Sequence, residues 1–261
     1  MNGIDGVVSR VCAVLESFRR KEEQVSFNEL AKRAGLARST THRLLADLVE
    51  CGYVEKLGRG YYRLGVKMWE LGCRAISALP VDEVARPHLQ WLAQVTEETV
   101  FLAVLQGRNV LYVSRFIGPM TVSVNIALGQ TSPAFCTATG KAMLAFSPPA
   151  VVDAALEPPL EALTPKTTTD PTAIRAALDA IIASGVAVNF GEATPDVTSI
   201  AVPILDHTGY ATASIGVVAP EYRFTHDSID KVKHTLQKVG PEMSAALGCT
   251  EFAERPASKE S

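Results

Sequence analysis

Residues 26–65 read SFNELAKRAGLARSTTHRLLADLVECGYVEKLGRGYYRLG, and their order decides the fold of the N-terminal part of the chain. Ser26 is a good helix N-cap, and Glu29 three residues later completes a capping box. The helix so opened, Phe27–Ala34, turns Leu30 and Ala31 inward, and Gly35 supplies a tight turn. A further helix starts near Arg38 and Ser39 and ends before Gly52, with an apolar stripe of Thr41, Leu44, Leu45 and Leu48. Its opposite face carries Ser39, Thr40, His42, Arg43 and Asp47. Two short strands, Tyr53–Lys56 and Tyr61–Leu64, follow around the cationic tip Leu57-Gly58-Arg59-Gly60. Upstream, Val7, Val11, Val14, Leu15 and Phe18 fall at helical spacing, giving a first helix of about Gly6–Arg19 that the charged run at 19–23 ends.

Helix, helix, turn, helix and basic hairpin make a winged helix-turn-helix. A helix about 10–12 Å across fits the roughly 12 Å major groove of DNA. Ser, Thr and Arg at the start of the third helix can bond base edges or phosphates, and a helix N-terminus favours phosphate. The candidate DNA contacts are Ser26, Arg38, Ser39, Thr40, His42 and Arg43, with Lys56 and Arg59 on the wing reaching flanking backbone. A head that serves only protein contacts is the competing reading, because any three-helix core would show the leucine stripe.

Charge follows the same division. The chain has 261 residues and a net charge of −3, but residues 1–78 hold 13 Lys and Arg against 9 Asp and Glu, a balance of +4. The remainder holds 12 against 19, a balance of −7, so only the head suits a polyanion. Length allows one large domain or two modest ones. With 47% apolar and 20% charged residues the chain can build a core, which excludes disordered, collagen-like and disulfide-scaffold classes. The five cysteines, Cys12, Cys51, Cys73, Cys136 and Cys249, form no Cys-x-x-Cys pair and read as free thiols of a reducing compartment. Neither a signal segment nor an apolar run near 18 residues is present, so the expected location is the cytoplasm, away from membranes.

Val66, Met68, Trp69, Leu71, Gly72 and Ile76 mark a linker helix whose apolar surface would be covered by a second chain or by the body of its own chain. Pro80 marks the boundary. The expected division is residues 1–65 for the winged head, 66–79 for the linker, 80–250 for the body and 251–261 for a polar tail. The body reads as α+β, with helices near 81–95, 141–146, 149–156, 171–184 and 225–247. Strand-like runs fall at 100–105, 110–116, 122–126, 186–190, 198–205 and 210–218.

Gly140-Lys141 invites a phosphate-loop reading, which fails because Phe135 stands where that motif needs glycine and Ala142 where it needs Ser or Thr. What is left is a small-residue loop, 129–141, that either aims backbone N–H groups at a small anion or packs a helix closely on a sheet. The five histidines show no metal-ligand spacing, and no Gly-x-Ser-x-Gly elbow occurs. Cys136 is a conceivable nucleophile or a buried structural thiol, and Glu192 a surface turn carboxylate or a lid residue. Neither a metal nor a cofactor is implied. An enzyme using the cleft of the body is the alternative to a binding domain.

The chain resembles the IclR family of transcriptional regulators over about residues 5–248. Leu36-Ala37-Arg38-Ser39-Thr40-Thr41-His42-Arg43-Leu44-Leu45-Ala46-Asp47-Leu48, then Gly52-Tyr53-Val54, is similar to the family's recognition-helix segment, and Tyr62-Arg63-Leu64-Gly65 to its wing-to-linker signature. Thr137-Ala138-Thr139-Gly140-Lys141-Ala142-Met143-Leu144-Ala145 resembles its effector-domain loop, with later blocks at Gly185-Val186-Ala187, Glu192, Ile200–Ile204 and Pro220–Arg223. The resemblance implies a dimer or tetramer on a palindromic operator of double-stranded DNA. It also implies a C-terminal GAF/PAS-like domain with an antiparallel sheet that takes a small organic or aromatic acid as effector. Family ligand positions fall here on Thr137, Ala138, Thr139, Gly140, Asn189, Ser199, Gly216 and Val217. Asn189 stands where some members have an acid, Ser199 where Cys is common and Phe135 where His is common, so the effector itself does not transfer.

Overall fold

The computed structural model describes residues 6–19, 24–77 and 80–249, and the chain divides into two compact units, 1–78 and 79–261. In the first unit, α1 spans Val7–Glu16, β1 Val25–Ser26, α2 Phe27–Ala34 and α3 Arg38–Glu50. Ser26 caps α2 by accepting from the Glu29 amide at 3.3 Å, while the Glu29 carboxylate takes Arg33 Nε at 2.8 Å. Gly35 ends the helix in the left-handed conformation, φ 64°. The anticipated stripe Thr41, Leu44, Leu45 and Leu48 is buried and closes on Val14, Leu30, Val54 and Tyr62. Each such leucine contributes roughly 1.5–3 kcal/mol. The helix α1 is shorter than expected: Ser17 Oγ bonds the Ala13 carbonyl at its end, and most of the charged run 19–23 lies outside the described residues.

The wing is β2 (Val54–Leu57) and β3 (Tyr61–Leu64), with Arg59 at φ 64° in the tip. The two residues of β1 add a third strand in the order β1-β3-β2, which the sequence reading missed because a two-residue strand has no periodicity. Gly65 is required where the wing passes into α4 (Val66–Ser77): a Cβ there would stand 2.2 Å from the Gly52 carbonyl oxygen.

The second unit contains α5 (Pro80–Thr96), β4 (Thr99–Gln106), β5 (Asn109–Phe116), β6 (Thr131–Pro133), α6 (Ala138–Ala145), α7 (Pro149–Ala155) and α8 (Pro171–Ser184). It continues with β7 (Ala187–Phe190), β8 (Val197–Leu205), β9 (Ala211–Pro220) and α9 (His226–Ala246). The sheet runs β6-β5-β4-β9-β8-β7, antiparallel at every pairing. Alternation along the strands splits its side chains. Phe101, Tyr112, Ala201 and Val218 join the core beneath α6 and α8, while α5 and α9 pack against the sheet on their own account. The α+β expectation is met.

Two expectations need correction. Residues 122–126 are not a strand. Val122 is exposed, Val124 and Ile126 cover the core, and arginines take carbonyls a strand would pair: Arg223 bonds Val122 O at 2.8 Å and Arg115 bonds Ile126 O at 2.6 Å. The sheet edge is filled by Thr131–Pro133, expected as loop. The helix expected from Lys141 begins three residues earlier, because Thr137 caps it by accepting from the Gly140 amide at 3.1 Å. The polar tail lies outside the described residues, as do Ala78 and Leu79 at the expected boundary.

Candidate nucleic-acid interface and ligand cavity

The first turn of α3 is the open end of the head. Its N-cap is Ala37, which offers no side-chain cap, and no acidic residue stands in the turn. Its leading amides and positive dipole end are therefore left to solvent or to a phosphate. Ser39, His42 and Arg43 are exposed and Thr40 is half-buried. Arg38 is braced: its Nη1 donates to Asn28 Oδ1 at 2.6 Å and its guanidinium stacks 5.1 Å from the Phe27 ring, which also meets His42 edge-on. Ser26 is spent on its cap. Lys56 and Arg59 are exposed on the wing, whereas Arg63 is tied across it to Glu55 at 2.6 Å. Asn28, which positions Arg38, was not anticipated; an asparagine on a helix surface gives no sequence signal.

In the second unit a cavity of about 50 Å³ lies at the start of α6. Of the expected ligand positions, Thr137, Ala138, Thr139, Asn189 and Ser199 line it. Gly140, Gly216 and Val217 do not. Gly140 is glycine for packing, since a Cβ there would fall 2.1 Å from the Ala134 carbonyl oxygen. Gly216 lies under the Phe101 ring, and its neighbour Val218 supplies the wall. Val217, one residue along the same strand, points to the other side of the sheet. Phe135, at the position where the family often has His, is core; the aromatic walls are Phe101 and Tyr112, edge to face at 5.1 Å. Close packing of the helix thus accounts for Gly140, while Thr137, Ala138 and Thr139 line the cavity.

Asn189 is engaged throughout. Its Nδ2 donates to Cys136 O at 2.7 Å and to Glu192 Oε1 at 3.1 Å, and its Oδ1 accepts from the Glu192 amide. Glu192 is neither a surface turn carboxylate nor a free lid group: Lys141 meets it at 2.5 Å, both side chains nearly buried. Burial, followed by the Glu192 charge, pushes the Cys136 thiol up to about 12, so Cys136 stays a protonated thiol at neutral pH. Burial also raises the Tyr112 phenol, so it stays a hydrogen-bond donor. Thr139 Oγ1 has no hydrogen-bond partner of ordinary geometry, although Thr139 and Ser132 stand close enough to the Tyr112 hydroxyl to oppose that rise. Among the described residues, no group of three His, Cys, Asp or Glu side chains could hold a metal ion, and no helix is long and apolar enough to cross a membrane.

A winged helix-turn-helix with an open recognition-helix end, joined to an α+β domain with a small cavity at a helix start, defines a class of DNA-binding regulators. Residues 7–58 match the IclR helix-turn-helix domain and residues 73–245 match the C-terminal domain of the bacterial transcriptional regulator IclR. The chain belongs to the IclR family of DNA-binding transcriptional regulators. It is 32% identical over 219 residues to the HTH-type transcriptional regulator Rv1719 of Mycobacterium tuberculosis, covering 84% of this chain and 83% of that one. An IclR transcriptional regulator from Alicyclobacillus acidocaldarius superposes with a TM-score of 0.82 at 26% identity, covering 91% of this chain and 97% of that one. An IclR homolog from Microbacterium hydrocarbonoxydans, complexed with 4-hydroxybenzoate, superposes at 0.80 with 30% identity over 92% of this chain and all of the other.

Proposed function

We propose that this protein is a cytoplasmic homo-oligomeric regulator that grips an operator through α3 and the wing and senses a small organic acid in the cavity at α6, so controlling nearby catabolic genes. The observation that carries the DNA half is the uncapped, acid-free first turn of α3 beside exposed Ser39 and Arg43. Supporting residues are Thr40 in the same turn, Arg38 and His42 braced on Phe27, and Lys56 and Arg59 on the wing. Ser26 acts at one remove, by fixing the start of α2. Division of labour follows domains of about 1–65, 66–79 and 80–250.

Sensing is supported by the cavity and by the family likeness of the second domain to a relative that holds an aromatic acid. Oligomerisation is supported by α4, which exposes Val66, Trp69 and Leu71. A two-fold assembly would read half-sites about 34–36 Å apart, or a multiple. The deciding experiment is anisotropy of the full chain on the DNA upstream of its own and adjacent genes, at several salt concentrations, with and without candidate acids. Specific binding weakens with salt, log affinity falling by about 0.9 per phosphate contact against log salt. Binding with the same affinity for every duplex would overturn the operator reading.

A further inference from the structure

Two lips border the cavity at α6, and they are held differently. One is the β7–β8 connection, which brings Ala193, Thr194 and Val197 to the wall. Gly191 N donates to Val197 O across it at 2.8 Å, and Glu221 N donates to Asp196 O at 2.8 Å. The hydroxyls of Thr164 and Thr167 donate to the carbonyls of Gly191 and Glu192, while Lys141 and Asn189 hold the Glu192 side chain from within. The other lip is the passage from β5 to β6, where Val124 and Ile126 form the wall. Among the described residues, 117–126 make no backbone–backbone hydrogen bond. Side chains hold them instead. Arg223 Nη2 donates to Val122 O at 2.8 Å, and Arg115 Nη1 donates to Asn125 Oδ1 at 2.5 Å and to Ile126 O at 2.6 Å.

Fixed points divide this second lip. Arg223 is a rigid post, because its Nε and Nη2 meet the two Glu98 oxygens at 2.5 and 2.7 Å with both side chains largely out of water. Upstream, Gly118 passes so close to Glu97 that a Cβ would stand 2.2 Å from the Glu97 carbonyl oxygen. Downstream, Gly129 N donates to Tyr112 O and Tyr112 N to Gln130 O, each at 2.9 Å. Between these points, residues 123–126 are held by the Arg115 bonds and by the apolar packing of Val124 and Ile126. A segment with few backbone bonds and few buried contacts opens at low cost while its surroundings stay folded. We infer that residues 123–126 are a flap over the cavity, swinging between the anchors at Val122 and Gly129, with Arg115 as its latch. A small molecule enters and leaves on this side, because the facing lip is clamped and the flap is not. What enters rests on the reading of the second domain as a sensor; the flap itself does not.

The test needs no effector. Val218 is 2% exposed and lines the cavity, so the thiol introduced by Val218→Cys reports access to it. The full chain with this change is treated with methyl methanethiosulfonate, a small neutral thiol reagent, and labelling is followed by peptide mass spectrometry. Cys136, buried in the same core, reports unfolding. Adding Arg115→Gln should speed labelling at position 218 roughly tenfold or more and leave Cys136 unchanged, since hydrogen bonds from a charged group are lost. Asn125→Ala, an exposed change that removes one of the two latch bonds, should speed it severalfold, and it decides the matter if the Arg115 variant does not fold. Thr167→Val, which loosens the facing lip, should leave the rate as it is. The flap is overturned by labelling that is complete on mixing in the Val218→Cys parent, absent in every variant, accelerated alike by Thr167→Val, or accelerated only together with Cys136. Operator affinity that responds to no acid would sink the sensing role and leave this result standing.

Discussion

Lys141 in α6 and Glu192 at the start of the β7–β8 connection form an ion pair 2.5 Å long that is almost out of water. The two residues are distant in sequence, yet they tie the helix that opens the cavity to the segment carrying Ala193 and Thr194, which form another of its walls. Thr164 and Thr167 hold the same segment from outside, bonding the carbonyls of Gly191 at 2.7 Å and Glu192 at 2.6 Å.

Breaking that pair on one side leaves a buried charge without its partner. Lys141→Met should destabilise the C-terminal domain by about 3–5 kcal/mol, and the double change Lys141→Met with Glu192→Leu should recover most of the loss. Differential scanning calorimetry of both variants checks this. A single variant that melts with the parent would show the pair to be inert.

On the DNA side, Arg43→Ala should weaken operator binding by about 1–3 kcal/mol without altering the fold, since the side chain is exposed and its helix is held by the opposite face. Anisotropy with the operator, and circular dichroism for the fold, give the answer. Operator binding unchanged in a folded variant would remove the first turn of α3 from the interface.

Thiol chemistry separates the cysteines. Cys136 is buried with its pKa raised from near 9 to about 12, while Cys12 and Cys51 are exposed. At pH 8 iodoacetamide should modify Cys12 and Cys51 in the folded protein and leave Cys136 untouched until denaturant is added, read by peptide mass spectrometry. The sign for stability follows: the raised folded value gives a contribution that is complete below about pH 8 and is lost as pH rises through 9 towards 12, because the unfolded thiol ionises first. Thermal stability that rises over that alkaline range in the parent but not in Cys136→Ala would contradict it.

Trp69 is 67% exposed on α4 in the single chain. Trp69→Asp should shift the protein towards its 27.9 kDa monomer in sedimentation at micromolar concentration and weaken binding to an inverted repeat more than to a half-site. A parent protein that is already monomeric would contradict the assembly.

The sequence by itself determined the winged head: the Ser26 cap, the Gly35 turn and the stripe Thr41, Leu44, Leu45 and Leu48 are local signals, and local signals survive folding. It determined the α+β order of the body for the same reason, and the residue resemblance placed Thr137, Ala138, Thr139, Asn189 and Ser199 at what proved to be one cavity. What the sequence misjudged was non-local. The alternation at 122–126 imitated a strand, but the edge of β5 has room for one neighbour and Thr131–Pro133 takes it. Only the tertiary structure decided that Lys141 meets Glu192, that Asn189 has no spare donor, that Val217 faces away and that the Thr139 hydroxyl is left without a partner. Those facts depend on which strands become neighbours, and a side chain's partner across a sheet leaves no periodic trace in the chain that carries it.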